Sequence, residues 1–174
     1  YENQIQIFSV VEKLEVYSRR GASLYDSLGT AYCLVGEFKK AEKYLEQALA
    51  LNPELSSSWG NLGVANFEQG NRDQALVFWE KAIQYNPALA EIMGNLGFLY
   101  LDRKDYDKAL AYLTRAIKTA PNLPDPYILR AQINFIRNNP AQAMRDYQIG
   151  INLKSKFIGR YPALHSFYLR TQNP

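Results

Sequence analysis

Very little in this chain could make or break a covalent bond. Its one histidine, His165, and its one cysteine, Cys33, stand far apart, with no cysteine or carboxylate at ligand spacing around the histidine. That leaves neither a zinc pattern nor a nucleophile–base pair. A glycine-rich phosphate loop and a dinucleotide fingerprint are missing as well. The expectation is a chain that is not an enzyme and holds no metal or cofactor. What recurs instead is chemistry suited to holding another chain. Asn61 and Asn95 lie 34 residues apart, each beside a glycine, Gly60 and Gly94. An asparagine carries both a donor and an acceptor, so two at regular spacing can hold the amide backbone of an extended segment. Glycine next to it makes room.

The spacing of those asparagines belongs to a longer pattern. Four segments starting at Ala22, Ser56, Ala90 and Pro124 repeat at a step of 34 residues. Numbering places from those starts, the fourth holds Tyr25, Trp59, Met93 and Tyr127. Places seven and eight hold Leu28-Gly29, Leu62-Gly63, Leu96-Gly97 and Arg130-Ala131. The twentieth is always alanine: Ala41, Ala75, Ala109 and Ala143. Leu45, Trp79, Leu113 and Tyr147 follow at place twenty-four, and Pro53, Pro87 and Pro121 close three of the repeats. Places four, seven, eight and eleven gather on one helical stripe, which predicts their burial. Gly29, Gly63 and Gly97 are expected to face the alanines of the second helix, where helices approach most closely. Turn residues such as Gly36-Glu37 and Gly70-Asn71 divide each repeat into two helices, and proline ends the second. The predicted helices are 22–35, 38–51, 56–69, 72–85, 90–103, 106–119, 125–137 and 140–153.

This length and residue pattern resemble the tetratricopeptide repeat, a helix-turn-helix unit. The resemblance implies an all-α, right-handed superhelical α-solenoid of stacked antiparallel helix pairs. Its divisions would be an N-terminal capping helix in 1–21, repeats at 22–55, 56–89, 90–123 and a divergent 124–156, then a C-terminal capping helix and tail in 157–174. It also implies that Arg130 and Asp146 of the fourth repeat pair across its two helices, since a partly buried charge survives by being matched.

In the family, the first helices line a groove that holds peptides or partner helices. Helical geometry assigns places two, six, nine and thirteen to that side, with five and twelve on its flank. The candidate residues are Asp26, Thr30, Asn61, Val64, Phe67, Glu68, Glu91, Asn95, Phe98, Asp102, Asp125, Leu129 and Gln132. These places include five acids and not one lysine or arginine, so the groove should be acidic. Val64, Phe98, Leu129 and Ile136 add apolar character where water is expected, which points to contact with a ligand or with the protein's own C-terminal helix. Some peptide-binding members carry an asparagine ladder at place six, and Asn61 and Asn95 match two of its rungs. The basic clamp by which other members hold chaperone C-termini is absent, because acids and neutral residues occupy its places.

Composition sets bounds. The 174 residues are 47% apolar and 21% charged, with a formal charge of +3. That excess is too small for a nucleic-acid-binding face, and no apolar run suits membrane insertion. The single Cys33 excludes an intramolecular disulfide. A start at Tyr1 without methionine or leader predicts a fragment or processed form, and the compartment stays open, with the cytoplasm the first expectation. Ile5, Phe8, Val11, Leu14 and Val16 predict an amphipathic helix over 4–18 that caps the first repeat, and Pro162 should start a last helix through about Leu169. The tail carries Lys154, Lys156, Arg160 and Arg170 without an acid. The expected function is protein binding without catalysis, the partner being a protein or peptide. The alternatives are a self-associating scaffold or homo-oligomer whose groove takes a terminal helix, and the recognition part of a larger enzyme such as a glycosyltransferase.

Overall fold

A computed structural model describes the backbone of residues 2–172 and the side chains of 16–171. Nine helices and no strand occur among the described residues, in two compact halves, Tyr1–Pro87 and Ala88–Pro174. The N-terminal half contains α1 (Glu2–Leu34), α2 (Phe38–Leu51), α3 (Ser56–Glu68) and α4 (Arg72–Tyr85). The C-terminal half contains α5 (Ala90–Asp102), α6 (Tyr106–Thr119), α7 (Asp125–Ile136), α8 (Pro140–Asn152) and α9 (Pro162–Gln172). Within each repeat the two helices pack as a pair, α1 on α2, α3 on α4, α5 on α6 and α7 on α8.

Each pair turns at the same place. The fifteenth residue of every repeat has a left-handed backbone: Gly36 (φ 79°), Gly70 (φ 86°), Lys104 (φ 61°) and Asn138 (φ 56°). The following amide reaches back over the helix end, from Glu37 to the Tyr32 carbonyl at 2.9 Å and from Asn139 to that of Asn134 at 2.8 Å. This is the Schellman geometry that satisfies the last carbonyls of a helix. Glycine adopts it freely, whereas Lys104 carries a left-handed penalty of roughly 1 kcal/mol.

The repeated alanines form the floor of the pairs: Ala41, Ala75, Ala109 and Ala143 are fully buried. The repeated glycines meet a further partner besides the alanines their spacing suggested, although a methyl on Gly29 would also stand 3.3 Å from the Ala41 carbonyl oxygen. A methyl on Gly29 would stand 2.5 Å from Leu45 Cγ, and one on Gly97 would stand 2.5 Å from Leu113 Cγ; Gly63 lies against Trp79 in the same way. Glycine therefore makes space for the large residue at place twenty-four, and alanine lets the backbones close beside it. The fourth repeat inverts the arrangement, with Ala131 at place eight and Gly150 on the second helix beneath Ile128.

Both ends depart from the pattern. α1 runs unbroken across residue 21, where a separate capping helix was expected to end. The side chains of Ile5, Phe8, Val11 and Leu14 lie outside the described residues, and Val16 is exposed. Leu28, expected in the buried stripe, is 37% exposed, whereas its counterpart Leu62 packs on Ala41, Leu45 and Leu49 of α2. After α8 the chain forms an irregular strap over 153–161 before α9 starts at Pro162, as its proline predicted. Leu164 and Tyr168 of α9 close the last core with Ile128, Ala131, Ala143 and Tyr147.

Candidate protein-binding face

In the N-terminal half, α1 and α3 are joined along the candidate face by polar side chains. Asp26 accepts hydrogen bonds from Ser57 Oγ at 2.9 Å and from the buried Ser58 Oγ at 2.6 Å. Asn61 Nδ2 donates to Thr30 Oγ1 at 2.7 Å, and Cys33 Sγ donates to the Asn61 backbone carbonyl at 3.7 Å. Each link runs from one repeat to a place two or more earlier in the next, a register set by how neighbouring first helices cross. The asparagine read as a free rung thus has its amide engaged inside the fold, while the residue remains half-exposed. Burial, with Glu42 adding to it, pushes the Cys33 thiol up to about 11, so it is protonated at neutral pH.

Val64, Phe67 and Glu68 continue the same face. Phe67 lies 5.6 Å from Trp79 between ring centres, with the Arg72 guanidinium 5.8 Å from its ring. The Trp79 indole donates to the Gly60 carbonyl at 3.1 Å, which anchors the glycine beside Asn61. Glu68 is exposed and Val64 half-buried.

The C-terminal half treats the same places differently. Phe98 is only 8% exposed and Leu129 only 1%, so neither lines open solvent. The strap lies over Phe98: Phe157 stacks on it at 5.4 Å, and Arg160 sits 5.0 Å from the Phe98 ring and 5.3 Å from the Phe157 ring. Asp125, in the first turn of α7, accepts from Ser155 Oγ at 2.7 Å and from the Lys156 amide at 3.1 Å, and pairs with Lys156 Nζ at 3.6 Å. An acid at a helix N-terminus that also gathers loop donors fixes the strap's entry. The Gly159 amide donates to the Tyr147 hydroxyl at 3.4 Å, and that hydroxyl lies 2.7 Å from His165 Nδ1. Glu91 and Asp102 are exposed and Asn95 is half-buried. Gln132 Oε1 is buried without a hydrogen-bond partner among the described residues.

The strap's part in the site was only half readable. Its cations were visible as an acid-free run, but Phe157 sits in an irregular segment whose position no periodicity predicts. Ser58 was missed because its place, the third, belongs neither to the buried stripe nor to the set assigned to the groove. The Arg130–Asp146 pair is present as the resemblance implied, two-pronged at 2.8 Å for each nitrogen, with Gln142 Nε2 adding a bond at 3.1 Å. The hydrogen bond to Asp146 holds the Arg130 guanidinium above its ordinary range despite partial burial.

Two profiles described as tetratricopeptide repeat match residues 22–55 and 66–133. The chain belongs to the tetratricopeptide repeat family. Solved structures agree on the fold. A crystal structure of MamA is 20% identical at a TM-score of 0.69, covering 86% of this chain and 87% of MamA. PilF of Pseudomonas aeruginosa is 19% identical at a TM-score of 0.72, covering 89% of this chain and 70% of PilF. No curated protein sequence matches significantly. The tetratricopeptide architecture makes the chain an all-α solenoid and a protein–protein interaction module. Among the described residues no helix is long and apolar enough to cross a membrane, and no cluster of His, Cys, Asp or Glu could hold a metal ion.

Proposed function

We propose that this tetratricopeptide module is a noncatalytic adaptor whose first-helix face holds a segment of a partner protein, extended or helical, with apolar anchors and cationic flanks. One observation carries the reading: where a segment does lie on that face, in the C-terminal half, it presents Lys156 to Asp125 and Phe157 to Phe98. The first helices supply acid and apolar surface there, and the strap supplies the complement. Opposite charge steers and orients a partner, and the apolar contact holds it.

In the N-terminal half, Val64, Phe67 and the exposed Glu68 offer the same combination. Calorimetric titration with peptides of matched length tests it. Basic peptides with an aromatic or aliphatic anchor should bind, more weakly at high salt, and Glu68→Lys should reduce their affinity. A preference for acidic peptides would contradict the proposal.

A second reading is favoured by the same strap. A terminal segment that seats on a first-helix face within one chain can seat on that of another copy, which would make the module a scaffold. Light scattering over a concentration series should then show assembly that Phe157→Ala suppresses.

A further inference from the structure

The strap is held at both ends and stays partly exposed to solvent between them. Ser155 is buried and bonded to Asp125 at one end, and Tyr161 leads into α9 at the other. Between them the Lys156 side chain is 74% exposed, Ile158 is 39% exposed, and Lys154 and Gly159 have left-handed backbones. Phe157 is the strap ring that stacks on Phe98.

The closed arrangement also leaves a polar atom unmatched. Gln132 Oε1, at the ninth place of α7 and so on the candidate face, is buried with no hydrogen-bond partner among the described residues. Burial pushes the pKa of the Tyr161 hydroxyl up, opposed by Arg160 through its charge and a hydrogen bond and reinforced by Asp102. A buried acceptor without a donor is a penalty that a better-fitting occupant would relieve.

We propose that the strap is an intramolecular competitor for the site on Phe98, Asp125 and Gln132, and that the segment displacing it carries a cation followed at once by an aromatic residue, with a second cation three residues on. This rests on the adaptor reading and gives it a ligand chemistry. The partner's backbone N–H satisfies Gln132, its ring replaces Phe157 on Phe98, and its cations replace Lys156 and Arg160. The strap residues between Ser155 and Tyr161 then lift off the face while α9 stays on its core, so access to the C-terminal half is set by competition between segments of like chemistry.

The test uses the whole chain and a fluorescent peptide with the sequence of residues 153–161, followed by anisotropy. Phe157→Ala with Arg160→Ala weakens the strap while keeping every α9 residue and should bind the peptide about tenfold more tightly than the unaltered chain, as removal of a competing closed state requires. Adding Phe98→Ala should abolish the gain. Lys156→Glu breaks one exposed ion pair, and its gain of about threefold provides a reading even if the double variant folds poorly. No gain in either variant, with native circular dichroism, overturns the competitor. If basic peptides still bind through Glu68 under that result, the adaptor reading survives alone; if none bind at all, both fall.

Discussion

The two halves are built from one repeat yet seal neighbouring first helices in opposite ways. Between α1 and α3, place five meets place three of the next repeat as Asp26 with Ser58, and place nine meets place six as Thr30 with Asn61. Between α5 and α7 the first of these pairings is Gly94 against Pro126, and the second pair of places holds Phe98 and Leu129. A seam of matched hydrogen bonds can face water unaided, because each donor has its acceptor. An apolar seam cannot without loss, and the strap covers it. The same architecture thus presents one open polar-edged face and one face already occupied.

The largest expected effect lies inside the C-terminal half. Asp146→Ala would leave the Arg130 guanidinium partly buried and unpaired, at about 3–5 kcal/mol, and should lower the melting temperature more than any substitution along either seam. A loss under 1 kcal/mol would mean that Arg130 swings out to water. Next comes Phe98→Ala, expected to cost about 3 kcal/mol and to raise amide exchange across 153–161, since strap and seam share that ring. Asn61→Ala should cost only about 1 kcal/mol, by removing the tie to Thr30. If it leaves the melting temperature unchanged but weakens peptide binding, Asn61 acts as a rung for the ligand instead of a link between helices. Smallest is Cys33. A thiol raised from 9.0 to about 11 should alkylate about 100-fold more slowly than an unperturbed one near neutral pH. Its rate should climb only towards the alkaline end; a rate typical of free cysteine would show that the α1–α3 seam opens.

Most helix boundaries were legible because periodicity and turn chemistry agree. Proline at the thirty-second place stops α2, α4 and α6, and the left-handed place stops each first helix. The two ends that depart from the repeat share a cause that was also visible in the residues: the equivalent of Pro53 is Arg19 before the first repeat and Ser155 after the last. Arg19 lets α1 run straight on, whereas Ser155 turns to Asp125 and launches the strap. The candidate face was legible as a set of places, because 100° per residue fixes which side chains share a side. Which of them are consumed by neighbours was not. That depends on how adjacent helices cross, and it is what engages Asn61 with Thr30 and hides Leu129.

The claim on which the account turns is that partner segments lie on the first-helix face. Titrating an isotopically labelled chain with a basic peptide containing one aromatic residue, and following the side-chain amide and methyl resonances, tests it most directly. The account predicts shifts at Asn61 and Val64 in the unaltered chain, extending to Gln132 and Leu129 once Phe157 and Arg160 are replaced by alanine. Shifts confined to outward residues of the second helices, such as Lys43, Lys81 and Arg115, would contradict it.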